Sequence, residues 1–258
     1  MDNNKPIGIF DSGIGGTSIW SEIHRLLPNE KTIYLADSKN APYGQKSKEE
    51  IIALSSKNTE FLLHMDCKLI VVACNTATTN AIQELRAKYN VPFIGIEPAI
   101  KPAATHSKTQ TIGILATQGT LNSDLFHKTA EKFHDTKIIE QVGHGLVPLI
   151  ESGQINSPEM TNLLQSYLTP MIEANIDYLV LGCSHYPYLI PQIKKIIPSQ
   201  IHIIDSGEAV ARQTQNILNE KVGLSTIKNR EPLFYSNSDP KVLSEILGNK
   251  YKVIEKDF

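Results

Sequence analysis

Two cysteines stand in near-duplicate settings. Cys74 ends the run Leu-Ile-Val-Val-Ala-Cys and precedes Asn75-Thr76; Cys183 ends Tyr-Leu-Val-Leu-Gly-Cys and precedes Ser184-His185. Each thiol follows an apolar run, and each is followed by small hydroxyl or amide residues that predict a helix start. Taking a proton from one face of a carbon and returning one to the other face needs two acid/base groups in opposition. A duplicated strand–Cys–turn unit supplies such a pair. Cysteine at the end of a buried strand is, taken alone, ordinary packing. The second copy in the matching place favours function. A helix N-terminus lowers a thiol pKa from about 8.5, and its free amides can hold a carboxylate. Cys67, in His-Met-Asp-Cys-Lys, has no such surroundings and reads as structural.

Other residues gather around this pair. His185 lies two positions after Cys183. A zinc site would need three or four ligands at recognisable spacing, so the histidine reads as an acid/base partner of the thiol. Asp11 ends the first predicted strand, inside Asp-Ser-Gly; the type also suits a plain cap or turn. Gly13, Gly15 and Gly16 match neither the dinucleotide fingerprint nor a P-loop. They predict close backbone approach to a small anionic ligand. Pro42-Tyr43-Gly44 sits in a loop that either closes over a ligand or is a simple turn.

The elements that must position these residues alternate strand and helix. Strands are predicted over 7–10, 32–36, 68–73 and 92–95, with helices between them. The helix over 47–64 has Ser47 as N-cap and Glu50 at the reciprocal position of a capping box. The theme restarts with strands over 111–115, 137–140, 178–181 and 201–204. Helices are predicted over 123–134, 158–175 and 207–219, the second with proline at its first position. A strand–helix–strand segment follows. The fold class is α/β with mostly parallel sheets. Asp11 precedes Cys74 by 74 − 11 = 63 positions, and Thr117 precedes Cys183 by 183 − 117 = 66. Similar openings and intervals predict two pseudo-symmetric domains: 1–97 plus 208–258, carrying Cys74, and 98–207, carrying Cys183. Ligands of parallel sheets sit beyond the strands' carboxyl ends, so the active site belongs in the cleft between the two.

Composition sets outer bounds. The chain has 258 residues and a formal net charge of −2, which argues against nucleic-acid binding driven by bulk charge. No apolar run reaches the roughly 20 residues of a membrane span, and the first ten residues carry no signal core. Three cysteines fit reduced thiols in the cytoplasm rather than a disulfide framework.

The motifs together resemble the glutamate racemases, cofactor-independent enzymes of the aspartate/glutamate racemase superfamily. The resemblance runs from Ile7 to about Glu208 and rests on Gly-Ile-Phe-Asp11-Ser12-Gly, Ala-Pro-Tyr43-Gly44, Val-Ala-Cys74-Asn75-Thr76, Leu-Ala-Thr117-Gln-Gly-Thr120, Val-Pro-Leu-Ile-Glu151 and Leu-Gly-Cys183-Ser184-His185. It implies a two-base mechanism with no cofactor and no metal. Cys183 would act as base toward L-glutamate, and Cys74 toward the D form. Asp11 would assist Cys74, while His185 and Glu151 would assist Cys183. Ser12, Tyr43, Gly44, Asn75, Thr76, Ser184 and His185 match substrate-contacting positions, with Thr117 and Thr120 as further contributors. Serine at 184 replaces the usual threonine and keeps the hydroxyl. Ser236-Asn-Ser-Asp239 is a looser form of the family's C-terminal Ser-Gly-Asp. The resemblance also implies a cytoplasmic enzyme supplying D-glutamate for peptidoglycan, and a homodimer. A secondary interaction with DNA gyrase, known in some members, is the lesser alternative, because the first predicted strand begins at Ile7 with no long N-terminal arm before it.

Overall fold

Continuous apolar runs such as Leu69–Val72 suit strands covered on both faces, and every strand pairing among the described residues is parallel. The structure is a computed structural model describing residues 3–228 and 230–258. From the N-terminus, β1 (Ile7–Asp11), α1 (Thr17–Leu26), β2 (Thr32–Ala36), α2 (Lys48–His64), β3 (Leu69–Val72), α3 (Asn75–Lys88) and β4 (Phe93–Gly95) alternate. A short α4 (Ile100–His106) leads to β5 (Thr111–Ala116), α5 (Gln118–Leu121), α6 (Asp124–Ala130) and β6 (Lys137–Val142). Then come α7 (Leu146–Glu151), α8 (Pro158–Glu173), β7 (Tyr178–Gly182), α9 (Ile190–Ile196) and β8 (His202–Ile204). The remaining elements are α10 (Gly207–Ile217), β9 (Leu233–Ser236), α11 (Lys241–Ile246) and β10 (Val253–Glu255).

Two sheets result, ordered β10-β9-β2-β1-β3-β4 and β6-β5-β7-β8. The run β2-β1-β3-β4 repeats as β6-β5-β7-β8, so the interval seen in sequence corresponds to one topology used twice. In each sheet the chain reverses its winding at the central strand, β1 or β5. Such a switch point opens a crevice at the carboxyl ends. Residues beyond β8 turn back to the first sheet: α10 packs on α1, and β9 joins β2 with Ile33 opposite Leu233.

Local signals explain the longer helices. Ser47 accepts from the Glu50 amide at 3.2 Å, and the Glu50 carboxylate accepts from the Ser47 amide at 2.9 Å. This completes the capping box and stabilises α2 by about 1 kcal/mol. Ser157 caps α8 from one side, its hydroxyl accepting from the Met160 amide at 3.1 Å, with Pro158 at the first position. Three short helices, α4, α7 and α9, carry no such signals and went unanticipated. One expectation needs correction: Cys183 does not open an α-helix. A 3-10 turn, Tyr186–Leu189, follows it with Pro187 inside. On the side of α1, α7 and α8, one apolar cluster is shared by both sheets, joining Ile9 and Trp20 to Leu164 and Leu181 through Ile14 and Leu146.

Candidate active site

Asp11 ends β1 fully buried. Its Oδ2 accepts from the Gly16 amide at 2.8 Å, and its Oδ1 from the Ser184 hydroxyl at 3.1 Å. Burial, resisted by the nearby His185, raises its pKa above the ordinary 3.8. Cys74 follows β3 and is itself the N-cap of α3: its Sγ accepts from the Ala77 amide at 3.4 Å. The thiol lies 3.6 Å from Ser12 Oγ. The expected lowering of this thiol's pKa does not occur. Burial pushes it well above its usual value and the Asp11 carboxylate adds to the rise, while Ala77 and Ser12 offset only part. A dipole acting through one long amide contact loses to desolvation. Cys67 is pushed up to about 12 by burial, as suits a packing residue beneath β1.

The second thiol has unlike company. Cys183 Sγ lies 3.8 Å from His185 Nδ1, and His185 Nε2 lies 2.5 Å from Glu151 Oε1. Glu151 also accepts from the Ile14 amide at 2.7 Å and the Ser38 hydroxyl at 2.8 Å. Burial alone would lower His185, but its bonds to Cys183 and Glu151 and the Asp11 charge win, raising it well above 6.5. Glu151 resists its own burial through the same histidine and stays below 4.5. The pair is therefore imidazolium and carboxylate. The Gly15 amide, 3.3 Å from Nε2, would suit a neutral ring instead. The contact to Glu151 is shorter and carries charge, and it decides the state of the ring.

The glycine turn has a purpose the sequence did not suggest. A Cβ at Gly13 would lie 2.0 Å from the Glu151 carboxylate, and one at Gly15 would lie 2.2 Å from the His185 ring. The close approach is made by these two side chains from across the cleft, rather than by a ligand's anion.

Of the residues selected from sequence, all except Asp11, Thr120 and Glu151 line one cavity, together with Pro42 and Val147. Asp11 and Glu151 stand behind it as partners of Ser184 and His185. Thr120 bonds Thr117 Oγ1 at 3.0 Å, and Thr117 meets Thr76 at 2.8 Å across the sheets. The cavity is about 10 Å³, room for about one water. A hollow of about 420 Å³ between α1 and α11 holds neither thiol. In the thiol cavity both side-chain amide atoms of Asn75 are buried without a partner among the described residues. A buried amide left unpaired costs about 1–3 kcal/mol, so a ligand that pairs with it gains by doing so.

Two residues escaped the sequence reading. Asp37, just beyond β2, receives the Tyr43 hydroxyl, and Ser38 holds Glu151. Asp37 follows a strand's carboxyl end as Asp11 ends one. The positional rule that selected Asp11 would have found it.

Residues 7–214 match the family model for Asp/Glu/Hydantoin racemase. A glutamate racemase of Pseudomonas entomophila is 43% identical, over 95% of this chain and 94% of that protein. The crystal structure of glutamate racemase isoform RacE1 from Bacillus anthracis superposes with a TM-score of 0.89 at 32% identity, covering 99% of this chain and 98% of that one. Escherichia coli glutamate racemase, solved in complex with L-glutamate and the activator UDP-MurNAc-ala, gives 0.87 at 30% identity, with 98% of each chain covered. With two thiols facing one cavity at the ends of equivalent strands, the chain belongs to the Asp/Glu/Hydantoin racemase family.

Proposed function

We propose that this protein interconverts L- and D-glutamate by a two-thiol mechanism without a cofactor. One observation carries the reading: Cys74 and Cys183 line the same cavity from different sheets, each with its own ionisable partner. The relative solved with L-glutamate supports the substrate.

Toward D-glutamate, the thiolate of Cys183 removes the α-proton of L-glutamate and becomes a thiol. The imidazolium of His185 is placed to steady the thiolate before that step, and Glu151 keeps the ring charged. The two electrons of the broken C–H bond remain as carbanion character beside the substrate carboxylate. Amides at the start of α3 and the hydroxyls of Ser12, Thr76, Thr117 and Ser184 stabilise that charge. Cys74, held protonated by burial and Asp11, delivers its proton to the opposite face and becomes a thiolate. One proton leaves the carbon and one arrives, so the substrate is inverted. The two thiols have exchanged states, which turnover of D-glutamate or solvent exchange resets. Asn75 pairs with a polar end of the substrate. Asp11 assists Cys74 and orients Ser184.

The working units are 1–97 with 208–258 and 98–207, with the site in the cleft between them. The setting is the cytoplasm, the product serves peptidoglycan synthesis, and the assembly is a homodimer. The deciding experiment is circular dichroism of L-glutamate in D2O with reduced protein and no added cofactor. Decay to zero with deuterium at the α-position is expected. A flat signal from folded protein with free thiols overturns glutamate as substrate and points to another small diacid.

A further inference from the structure

The C-terminal segment reaches the site through one carboxylate. Asp37 is 1% exposed and lies just beyond the end of β2. Four neutral donors converge on it. Asn40 Nδ2 (2.7 Å) and Asn237 Nδ2 (2.5 Å) reach Oδ1; the Tyr43 hydroxyl and Asn58 Nδ2 (3.4 Å) reach Oδ2. Asn58 also donates to the Tyr43 oxygen at 3.1 Å. The Tyr43 hydroxyl is thus engaged by Asp37 and Asn58, while the residue lines the thiol cavity.

Asn237 uses both ends of its amide here. Its Nδ2 donates to Asp37, and its Oδ1 accepts from the Lys39 amide at 3.0 Å. Its own amide donates to the Ala36 carbonyl at 3.3 Å. It thus grips both sides of the first turn after β2. That turn leads directly to Tyr43 and Gly44 and carries Ser38, the hydroxyl on Glu151. Asn237 lies in Ser236-Asn-Ser-Asp239, where this chain departs from the family's tighter motif.

We propose that Asn237 is a positioning residue for the substrate site. Acting through Asp37 and the Tyr43 hydroxyl, it holds the wall formed by Tyr43 and Gly44 and so sets substrate affinity. The thiols follow β3 and β7, to which Asn237 makes no bond, and Glu151 keeps its bonds to Ile14 and His185 if the turn that carries Ser38 loosens. The wall faces both enantiomers alike. Loosening it weakens ground state and transition state together, which appears in KM rather than kcat. This rests on the glutamate reading for its kinetic arm only.

The test is Asn237→Ala, alone and in a Tyr43→Phe background, in the full chain. Asn237 is only half-buried, and a single cooperative urea transition establishes that the variant folds. KM for both enantiomers is expected to rise by the same factor, about fivefold, with kcat within about twofold. In the Tyr43→Phe background the factor shrinks toward one, because the route is already cut. A second arm needs no activity. The amides of Asn40, Ala41 and Lys46 bond within this turn. Their hydrogen exchange is expected to quicken at least about fivefold, while amides of β7 stay unchanged. An unchanged KM in folded, active protein overturns the proposal. So do multiplying factors in the double variant, a fall in kcat alone, or unaltered exchange over this turn. If wild type leaves glutamate untouched, the substrate reading fails, and the exchange arm still decides the clamp.

Discussion

Cys74 and Cys183 are the same residue type in opposite electrostatic company. Burial, reinforced by the Asp11 carboxylate, keeps the proton on Cys74; Cys183 faces an imidazolium. Cys74→Ser or Cys183→Ser is therefore expected to lower racemisation by at least about 10³-fold with the fold intact, as polarimetry and far-UV circular dichroism will register. Glu151→Gln removes the charge that keeps His185 cationic. A drop of about 10–100-fold in kcat/KM is expected, equal in both directions because the equilibrium constant of a racemisation is one. The same variant has a pH signature. Glu151 is depressed below 4.5, so its stabilisation is present above that pH and is lost as pH falls through the depressed value. His185 is raised above 6.5, so its contribution is complete below that pH and is lost as pH rises through the raised value. The stability gap between wild type and Glu151→Gln, from urea midpoints, should be widest between pH 4.5 and 6.5. Asp11 has the opposite sense: its raised pKa means the ionised form costs stability at neutral pH. Asp11→Asn is expected to match or exceed wild-type stability, by up to about 2 kcal/mol, while losing activity. The thiols were legible in sequence because a motif occurs twice. The Cys74 pKa was not, because burial and the neighbouring Asp11 come from tertiary structure.

At the level of elements, the glycine turn after β1 is a receptor for side chains from the other sheet. Gly15→Ala would set a methyl 2.2 Å from a buried, ion-paired ring that cannot swing aside. A loss of about 1–3 kcal/mol in unfolding free energy is expected, with lowered activity. Gly13→Ala should cost less stability, since a carboxylate end yields more easily than a ring. Comparison of the two urea midpoints checks this order. The elements read correctly from sequence were those with local signals: the double-faced apolar run of β3, the capping box of α2, the Ser-Pro start of α8. Those missed were α4, α7 and α9. α7 carries Pro148 inside it; α9 has Pro191 in its first turn, with Pro187 and Pro198 on either side. Each is too short to be stable alone and exists because residues such as Leu146, Ile150 and Ile193 are buried.

Across the whole molecule, the two sheets meet differently on their two sides. One side shares an apolar cluster; the other is stitched by polar contacts such as Thr76 to Thr117 and Asn80 Nδ2 to the Gly119 carbonyl at 2.9 Å. A cavity of about 10 Å³ is smaller than glutamate, so substrate entry is expected to widen the cleft between the sheets. The polar seam is the side expected to open, because its bonds exchange readily with water. Asn80→Ala is expected to favour the open form, raising KM about two- to fivefold without lowering kcat, as steady-state kinetics will show. The sheet order also has a consequence for synthesis. The four-stranded sheet is complete once residue 204 has been made, from neighbours in sequence. The six-stranded sheet is not: Ile33 waits for Leu233, 200 residues later. During translation β2 is a bare edge, able to pair with another nascent chain, until β9 arrives to cover it.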